Sequence, residues 1–313
     1  MKPTLAFLFP GQGSQSVGML ARLAQESSKV EETFAEASQA LGFDLWRLVQ
    51  EGPEEALNQT VNTQPALLAA GVAVWRVWCE RTPVRPAWMA GHSLGEYTAL
   101  VCAESLAFAD AVRLVAERGR LMQNAVPAGK GAMAAILGLE DHLVVSLCRE
   151  IAASDGAVSA ANFNAPGQVV IAGETEAVAK ACALAKAKGA KRAVVLPVSV
   201  PSHCPLMQPA AEEFARALAQ VPFAMPKIDV VHNVDVGTHA APEVIRAMLK
   251  EQLYSPVRWS DTIRFLRDQG VRHFIECGPG KVLTGLNKRI VPDCQAWPLF
   301  DPETLNYALE AVG

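Results

Sequence analysis

Pro86-Ala87-Trp88-Met89-Ala90-Gly91-His92-Ser93-Leu94-Gly95-Glu96-Tyr97-Thr98-Ala99-Leu100 carries the signal that decides the fold. Residues 86–90 read as a short buried strand, 91–95 break it, and 96–103 resume as a helix. Gly-x-Ser-x-Gly between a strand and a helix is the pattern of a nucleophile elbow. Small residues flank Ser93 because such a turn is cramped. The turn leaves the serine oxygen exposed where a helix starts, with the helix N-terminus and the Leu94 backbone N–H aimed at a developing oxyanion. A glycine-bordered turn with a capping serine is the plainer alternative.

The alternation continues outward from this stretch. Residues 5–9 form an apolar run ended by Pro10-Gly11, a buried strand feeding a tight loop. Helical patterns follow at 30–41, 53–59 and 65–80, the last with Pro65 in its first turn. Residues 109–125 are another helix, with Asp110 at its start, where the dipole favours an acid. This predicts an α/β fold with a mostly parallel sheet. Near Pro127 the pattern changes to strand 131–138, helix 140–153, strand 157–163, strand 168–173, helix 174–189 and strand 192–198. Asn164-Ala165-Pro166-Gly167 makes the hairpin between the middle strands. Two βα units around a hairpin follow the ferredoxin-like plan, here inserted into the larger unit. The expected division is 1–126 with 199–313 for the large subdomain and 127–198 for the small one. Beyond it come helix 209–220, strand 228–232, helices 242–252 and 260–269, strand 273–276 and helix 281–288.

Composition narrows the function. Of 313 residues, half are hydrophobic, enough for a sizeable core. The balance of 32 acids against 28 bases gives a net charge of −4, and aromatics are 6%. Neither the basic stripe nor the stacking platform of a nucleic-acid binder is present. The longest apolar run, 66–75, is about half of the ~20 residues that span a bilayer. The first residues are too short an apolar stretch for a signal peptide. Seven cysteines without a Cys-x-x-Cys read as reduced thiols, and six histidines lack metal-ligand spacing. A cytoplasmic protein with no metal is the expectation.

A serine nucleophile needs a base. His203, in Val200-Pro201-Ser202-His203, follows the last strand of the insert, at the seam between the two units. His92 is the competitor, but its neighbour position turns its side chain away from that of Ser93. No acid lies in clear form between the two; Asp235 and Asp261 follow His203, and a backbone or amide oxygen is the other way to orient the imidazole. Arg118 sits beside the apolar residues Leu114, Val115, Leu121 and Met122. A guanidinium there is suited to a carboxylate-bearing acyl group, although a snorkelling surface arginine has the same pattern. The loop Gly11-Gln12-Gly13-Ser14-Gln15 fails as a dinucleotide fingerprint, because its third glycine comes late, at Gly18. It suits a loop presenting a backbone N–H near the elbow. Gly278-Pro279-Gly280-Lys281 lacks Walker spacing and reads as a tight turn.

With Phe9-Pro10-Gly11-Gln12-Gly13-Ser14-Gln15, Gly91-His92-Ser93-Leu94-Gly95-Glu96-Tyr97, Arg118-Gly119-Arg120-Leu121-Met122-Gln123, Ser199-Val200-Pro201-Ser202-His203 and Gly278-Pro279-Gly280-Lys281-Val282-Leu283, the chain resembles the malonyl-CoA:acyl carrier protein transacylases of type II fatty-acid synthesis. The motifs are co-linear over nearly the whole chain. The resemblance implies an α/β-hydrolase-like large subdomain and a ping-pong transfer from malonyl-CoA to holo acyl carrier protein, with no cofactor, in a monomer. It implies Ser93 as nucleophile, His203 as base and Arg118 as partner of the malonyl carboxylate. Gln12 and Leu94 would give backbone N–H groups to the oxyanion hole. Gln252 would orient His203 through its backbone carbonyl, and Asn162 would face the cleft from the insert. Val200-Pro201-Ser202-His203 is the fatty-acid form of a segment that is Tyr-Ala-Ser-His in methylmalonyl-preferring polyketide acyltransferases. Cys277 stands where the family carries Val or a similar residue.

An acidic carrier protein requires a local basic patch. Lys180, Lys186, Lys188, Lys191 and Arg192 form one group, and Lys281, Lys288 and Arg289 another. A polyketide acyltransferase, the malonyl transferase of a malonate decarboxylase, a serine thioesterase or esterase, and a non-catalytic carrier-binding module are the alternatives.

Overall fold

Leu5 to Phe9 are buried without a break, as a strand covered on both faces requires. In the computed structural model, which describes residues 1–154, 156–198 and 200–312, they end strand β1 (Lys2–Phe9). Leu5, Phe7 and Phe9 enter one apolar cluster, and Ala6 and Leu8 enter another on the opposite face. The other strands among the described residues are β2 (Pro86–Gly91), β3 (Gly131–Leu137), β4 (Val158–Ala165), β5 (Gln168–Glu174), β6 (Arg192–Val195), β7 (Asp229–Val231), β8 (His273–Cys277) and β9 (Gln295–Leu299). The first sheet has the order β7-β2-β1-β8-β9, with every pairing parallel. The second has the order β4-β5-β3-β6, with every pairing antiparallel. The chain is therefore an α/β protein with a mostly parallel sheet and a separate antiparallel one, as the alternation of strand and helix predicts.

Helices close both faces of the parallel sheet. On one, Phe7 meets Trp75 and Trp78 of helix Thr60–Arg81 edge-on, at 5.3 and 5.1 Å between ring centroids. On the other, Trp259 and Ile263 pack with Leu283 and Leu286. One face of the antiparallel sheet, with Ala134, Ile136 and Ile171, lies under helices Asp141–Ala152 and Thr175–Ala187. Its other face, with Met133, Val170 and Ala172, meets Cys204 beside His203. Strand β4 is tied to the segment before helix Trp259–Asp268 by Phe163 N–H to Val257 O and Val257 N–H to Ala161 O, both 2.9 Å. Arg289 adds bonds to the Pro166 carbonyl and Gln168.

Several elements differ from the sequence expectation. The helix expected from Pro65 begins at Thr60, because the Asn62 and Thr63 N–H groups already bond the Gln59 carbonyl at 2.8 Å. The hairpin turn is shorter than four residues: β4 runs through Ala165, leaving Pro166-Gly167 to turn, with Gly167 at φ 69°. That extension puts Asn164 on a strand. The insert's last strand stops at Val195 rather than 198, though the Leu196 N–H still bonds Met133 O. Two C-terminal elements were unread. Strand β9 contains Pro298, which an edge strand tolerates because it needs no donor on its open side. Helix Pro302–Val312 buries Leu305, Ala308 and Val312 at helical spacing. Ser199, at the expected boundary of the insert and the head of one motif, lies outside the described residues.

The helix after the elbow approaches β1 backbone to backbone. A Cβ on Gly95 would stand 2.0 Å from the Phe9 carbonyl oxygen, where no side chain can swing aside. Gly95→Ala is expected to destabilise the protein by about 3 kcal/mol or more in urea unfolding. A loss below about 1 kcal/mol would show that the two backbones separate easily.

Candidate active site

At the end of β2 the chain turns back within a few residues. Gly91 has no room for a Cβ, which would lie 1.9 Å from the Gly95 carbonyl carbon. Ser93 takes φ 51°, a left-handed conformation that a non-glycine residue holds only where its surroundings enforce it. Asn233 supplies that enforcement. Its Oδ1 accepts from the Ser93 N–H at 2.8 Å, and its Nδ2 donates to the Gly91 carbonyl at 2.7 Å. His92 turns the other way, as its position implies, with Nε2 2.8 Å from Asn164 Oδ1 on β4. The hairpin of the insert thus braces the elbow.

Ser93 Oγ lies 2.7 Å from His203 Nε2. On the far side of the ring, Nδ1 is 2.7 Å from the main-chain carbonyl of Gln252. A carbonyl only accepts, so it holds the proton on Nδ1 and leaves the Nε2 lone pair facing the serine. Of the oxygens the sequence left open as orienters, Asp235 is bonded to His239 and Asp261 to Arg258 and Arg264. Burial first, and then the Arg118 charge, hold His203 down to about 3, against the Gln252 bond that raises it. The resting imidazole is neutral. Cys204, its neighbour, is no rival nucleophile, since burial pushes its thiol up to about 11.

Arg118 extends from helix Phe108–Asn124 and is 1% exposed. Its Nη1 donates to Gln64 Oε1 at 2.8 Å, and its Nη2 to Gln252 Oε1 at 2.9 Å and Ser93 Oγ at 3.2 Å. Its Nε has no hydrogen-bond partner among the described residues. The Tyr97 ring lies 5.3 Å from the guanidinium carbon. Burial lowers its pKa, with Tyr97 and Glu96 acting in the opposite sense. Among the described residues no carboxylate forms an ion pair with it.

Ser93, His203, Arg118 and Gln64 line a cavity of about 200 Å3, to which Gln12, Leu94 and Asn162 also contribute. The backbone N–H groups of Gln12 and Leu94 donate to no partner among the described residues. Asn162, on β4, is buried on the wall. The structure thus brings together Ser93, His203, Gln252, Arg118, Gln12, Leu94 and Asn162. Four further participants went unread: Gln64, Glu96, His232 and Asn233. Glu96 had a signal, a lone carboxylate among the apolar residues of the elbow helix. No group of three or more His, Cys, Asp or Glu residues suited to a metal occurs among the described residues. A larger opening of about 820 Å3, lined in part by Cys79 and Cys102, offers thiols that burial pushes up, Cys79 to about 11. It holds no activated nucleophile.

Known proteins match the chain over nearly its whole length. The acyl transferase domain family model matches residues 6–300. A malonyl CoA-acyl carrier protein transacylase of Salmonella typhimurium is 59% identical over 304 residues, covering 97% of this chain and 98% of that protein. An acyl carrier protein S-malonyltransferase of Vibrio cholerae superposes with a TM-score of 0.95 at 56% identity, covering 99% of this chain and 100% of that one. A chain of the solved complex between a type II polyketide synthase acyl carrier protein and its malonyl-transacylase superposes with a TM-score of 0.97 at 56% identity, covering 98% of this chain and 99% of that one.

The His203 environment sets a pH dependence. A base at His203 would act only when unprotonated, so acylation of Ser93 by p-nitrophenyl acetate should stay level from about pH 8 down to about pH 5, below the ordinary histidine limb. Arg118→Met removes the second-largest of the influences that depress His203, after burial. Its acidic limb should therefore move to higher pH, as read by stopped-flow burst rates. An unmoved limb would show that the Arg118 charge does not reach the imidazole.

Proposed function

The chain belongs to the acyl transferase domain family, and from that premise we propose that it transfers a malonyl group from malonyl-CoA to the pantetheine thiol of holo acyl carrier protein, through an ester on Ser93, for fatty-acid synthesis. His203 Nε2 takes the Ser93 proton as Oγ attacks the thioester carbonyl. The Gln12 and Leu94 N–H groups receive the oxyanion. Collapse breaks the carbon–sulfur bond, and the CoA sulfur leaves with the proton from His203. In the second half the carrier-protein thiol gives its proton to His203 and attacks the ester. Ser93 leaves and recovers the proton. Oxygen ester and thioester are close in energy, so the transfer reverses readily, and the narrow cavity limits attack by water. The cycle needs no cofactor.

The observation that carries this reading is a buried cation aimed at the nucleophile without a carboxylate against it. Of the five N–H donors of a guanidinium, three are used by Gln64, Gln252 and Ser93, and Nε is unused. A malonyl carboxylate completes that coordination. It also cancels the charge that depresses His203, so the base strengthens when the matching acyl group binds. An esterase of neutral acyl groups has no use for such a cation.

The architecture is read as an α/β-hydrolase-like large subdomain, 1–126 with 199–313, and a ferredoxin-like small one, 127–198. The βαββαβ sequence and the order β4-β5-β3-β6 favour the latter. We place the protein in the cytoplasm as a monomer; its seven free thiols suit a reducing compartment. No helix among the described residues is long and apolar enough to cross a membrane. A polyketide pathway is the second reading, favoured by the similarity to the solved polyketide carrier-protein complex.

Intact-mass spectrometry after mixing with malonyl-CoA should show a malonyl adduct that is absent in Ser93→Ala and removed by holo acyl carrier protein. An adduct that decays in water and ignores the carrier protein would identify a thioesterase. Arg118→Ala should lower malonyl transfer by about a hundredfold, the worth of a charged hydrogen-bond pair, and spare acetyl transfer. Intact malonyl transfer in that variant would remove Arg118 from substrate recognition.

A further inference from the structure

Arg118 is buried without a direct ion pair, yet a carboxylate lies one amide away. Glu96, in the first turn of helix Gly95–Cys102, is fully buried. Its Oε2 accepts from Gln252 Nε2 at 2.8 Å and from the Asn233 N–H at 3.0 Å, and its Oε1 is 2.7 Å from His232 Nδ1. Gln252 spans the gap. Its Nε2 faces Glu96, and its Oε1 accepts from Arg118 Nη2 at 2.9 Å. The same Nε2 also donates to the Ser93 carbonyl at 3.0 Å. An amide is a dipole, and here its negative end faces the cation and its positive end the anion.

We propose that Glu96 is the buried counter-charge of Arg118, acting through the Gln252 side-chain amide, and that its charge weakens the hold of Arg118 on the carboxylate of the acyl group. The inference rests on the reading of Arg118 as the malonyl partner. In the empty site the two charges balance, so Arg118 sits in a poorly solvated place without a bound anion. A malonyl carboxylate adds a second negative charge to the same enclosure and feels both neighbours. One unit charge beyond an amide, at an effective dielectric near 20, changes that affinity roughly tenfold. Such moderation suits a reaction that must give the malonyl group up to a second acceptor. Glu96 touches no reacting atom and is a positioning residue.

The test uses the full chain in a Ser93→Ala background, where no ester forms, with malonyl-CoA and acetyl-CoA titrated by calorimetry. Glu96→Gln keeps the side chain's shape and an acceptor oxygen while removing its charge. It should bind malonyl-CoA about tenfold more tightly and leave acetyl-CoA within about twofold. An unchanged malonyl affinity, or equal shifts for both ligands, overturns the proposal, because a merely structural role does not distinguish the two acyl groups. Arg118→Met in the same background separates the two readings. If it leaves malonyl-CoA binding intact, the assignment of Arg118 fails. If it weakens binding while Glu96→Gln changes nothing, the counter-charge alone fails. Thermal unfolding covers the case in which Glu96→Gln does not fold alone. Arg118→Met leaves Glu96 buried and unbalanced, so Arg118→Met with Glu96→Gln should melt above Arg118→Met. A double variant that melts at or below the single one overturns the proposal.

Discussion

Gln252 holds the site with two sets of atoms. Its main-chain carbonyl fixes the His203 tautomer, and its side-chain amide bonds Ser93, Arg118 and Glu96. Nucleophile, base and cation are therefore set relative to one another by a single residue at the end of helix Pro242–Glu251. Displacing it would turn the imidazole, free the guanidinium and unpair a buried carboxylate together. Each group left unpaired in this dry interior carries a penalty larger than the hydrogen bond it lost. The site is consequently held as one network, in which single pairs are not separable.

A carbonyl in the place of the usual acid has an electrostatic consequence. An aspartate behind His203 would add a negative charge beside the position of the malonyl carboxylate. The carbonyl orients the ring without that charge. Burial first, and then the Arg118 charge, leave the resting imidazole a weak base, and on the proposed reading the substrate supplies the missing negative charge. On the proposed reading, selectivity for a carboxylate-bearing acyl group and activation of the base come from the same cation. The cavity of about 200 Å3 has room for a small acyl group and little else, which fits a donor recognised by charge as well as size.

Much of this was legible in the chain because backbone constraint leaves a residue signature. The elbow shows as Gly91 and Gly95 around Ser93, since no Cβ fits at either glycine. The parallel sheet shows as strand and helix in alternation, and Arg118 as a cation beside an apolar face. Gln252 could not be reached from residue chemistry alone, because any residue has a carbonyl; its role came only with the family resemblance. Asn233 and His232 lie far along the sequence from the elbow they support, and nothing local marks them. Pro298 hid an edge strand that needs no donor on its open side. Glu96 was in view within the elbow stretch, but its meaning depends on the burial of Arg118, which only tertiary packing reveals.

The crystal structure of the enzyme trapped with malonyl on Ser93, obtained from crystals flash-cooled after exposure to malonyl-CoA, tests most directly whether charge selects the acyl group. The ester carbonyl oxygen should lie within hydrogen-bond distance of the Gln12 and Leu94 N–H groups, and the free carboxylate should receive two N–H bonds from Arg118. A carboxylate turned to solvent, with Arg118 still donating to Ser93 Oγ and Gln252 as in the free enzyme, would contradict it.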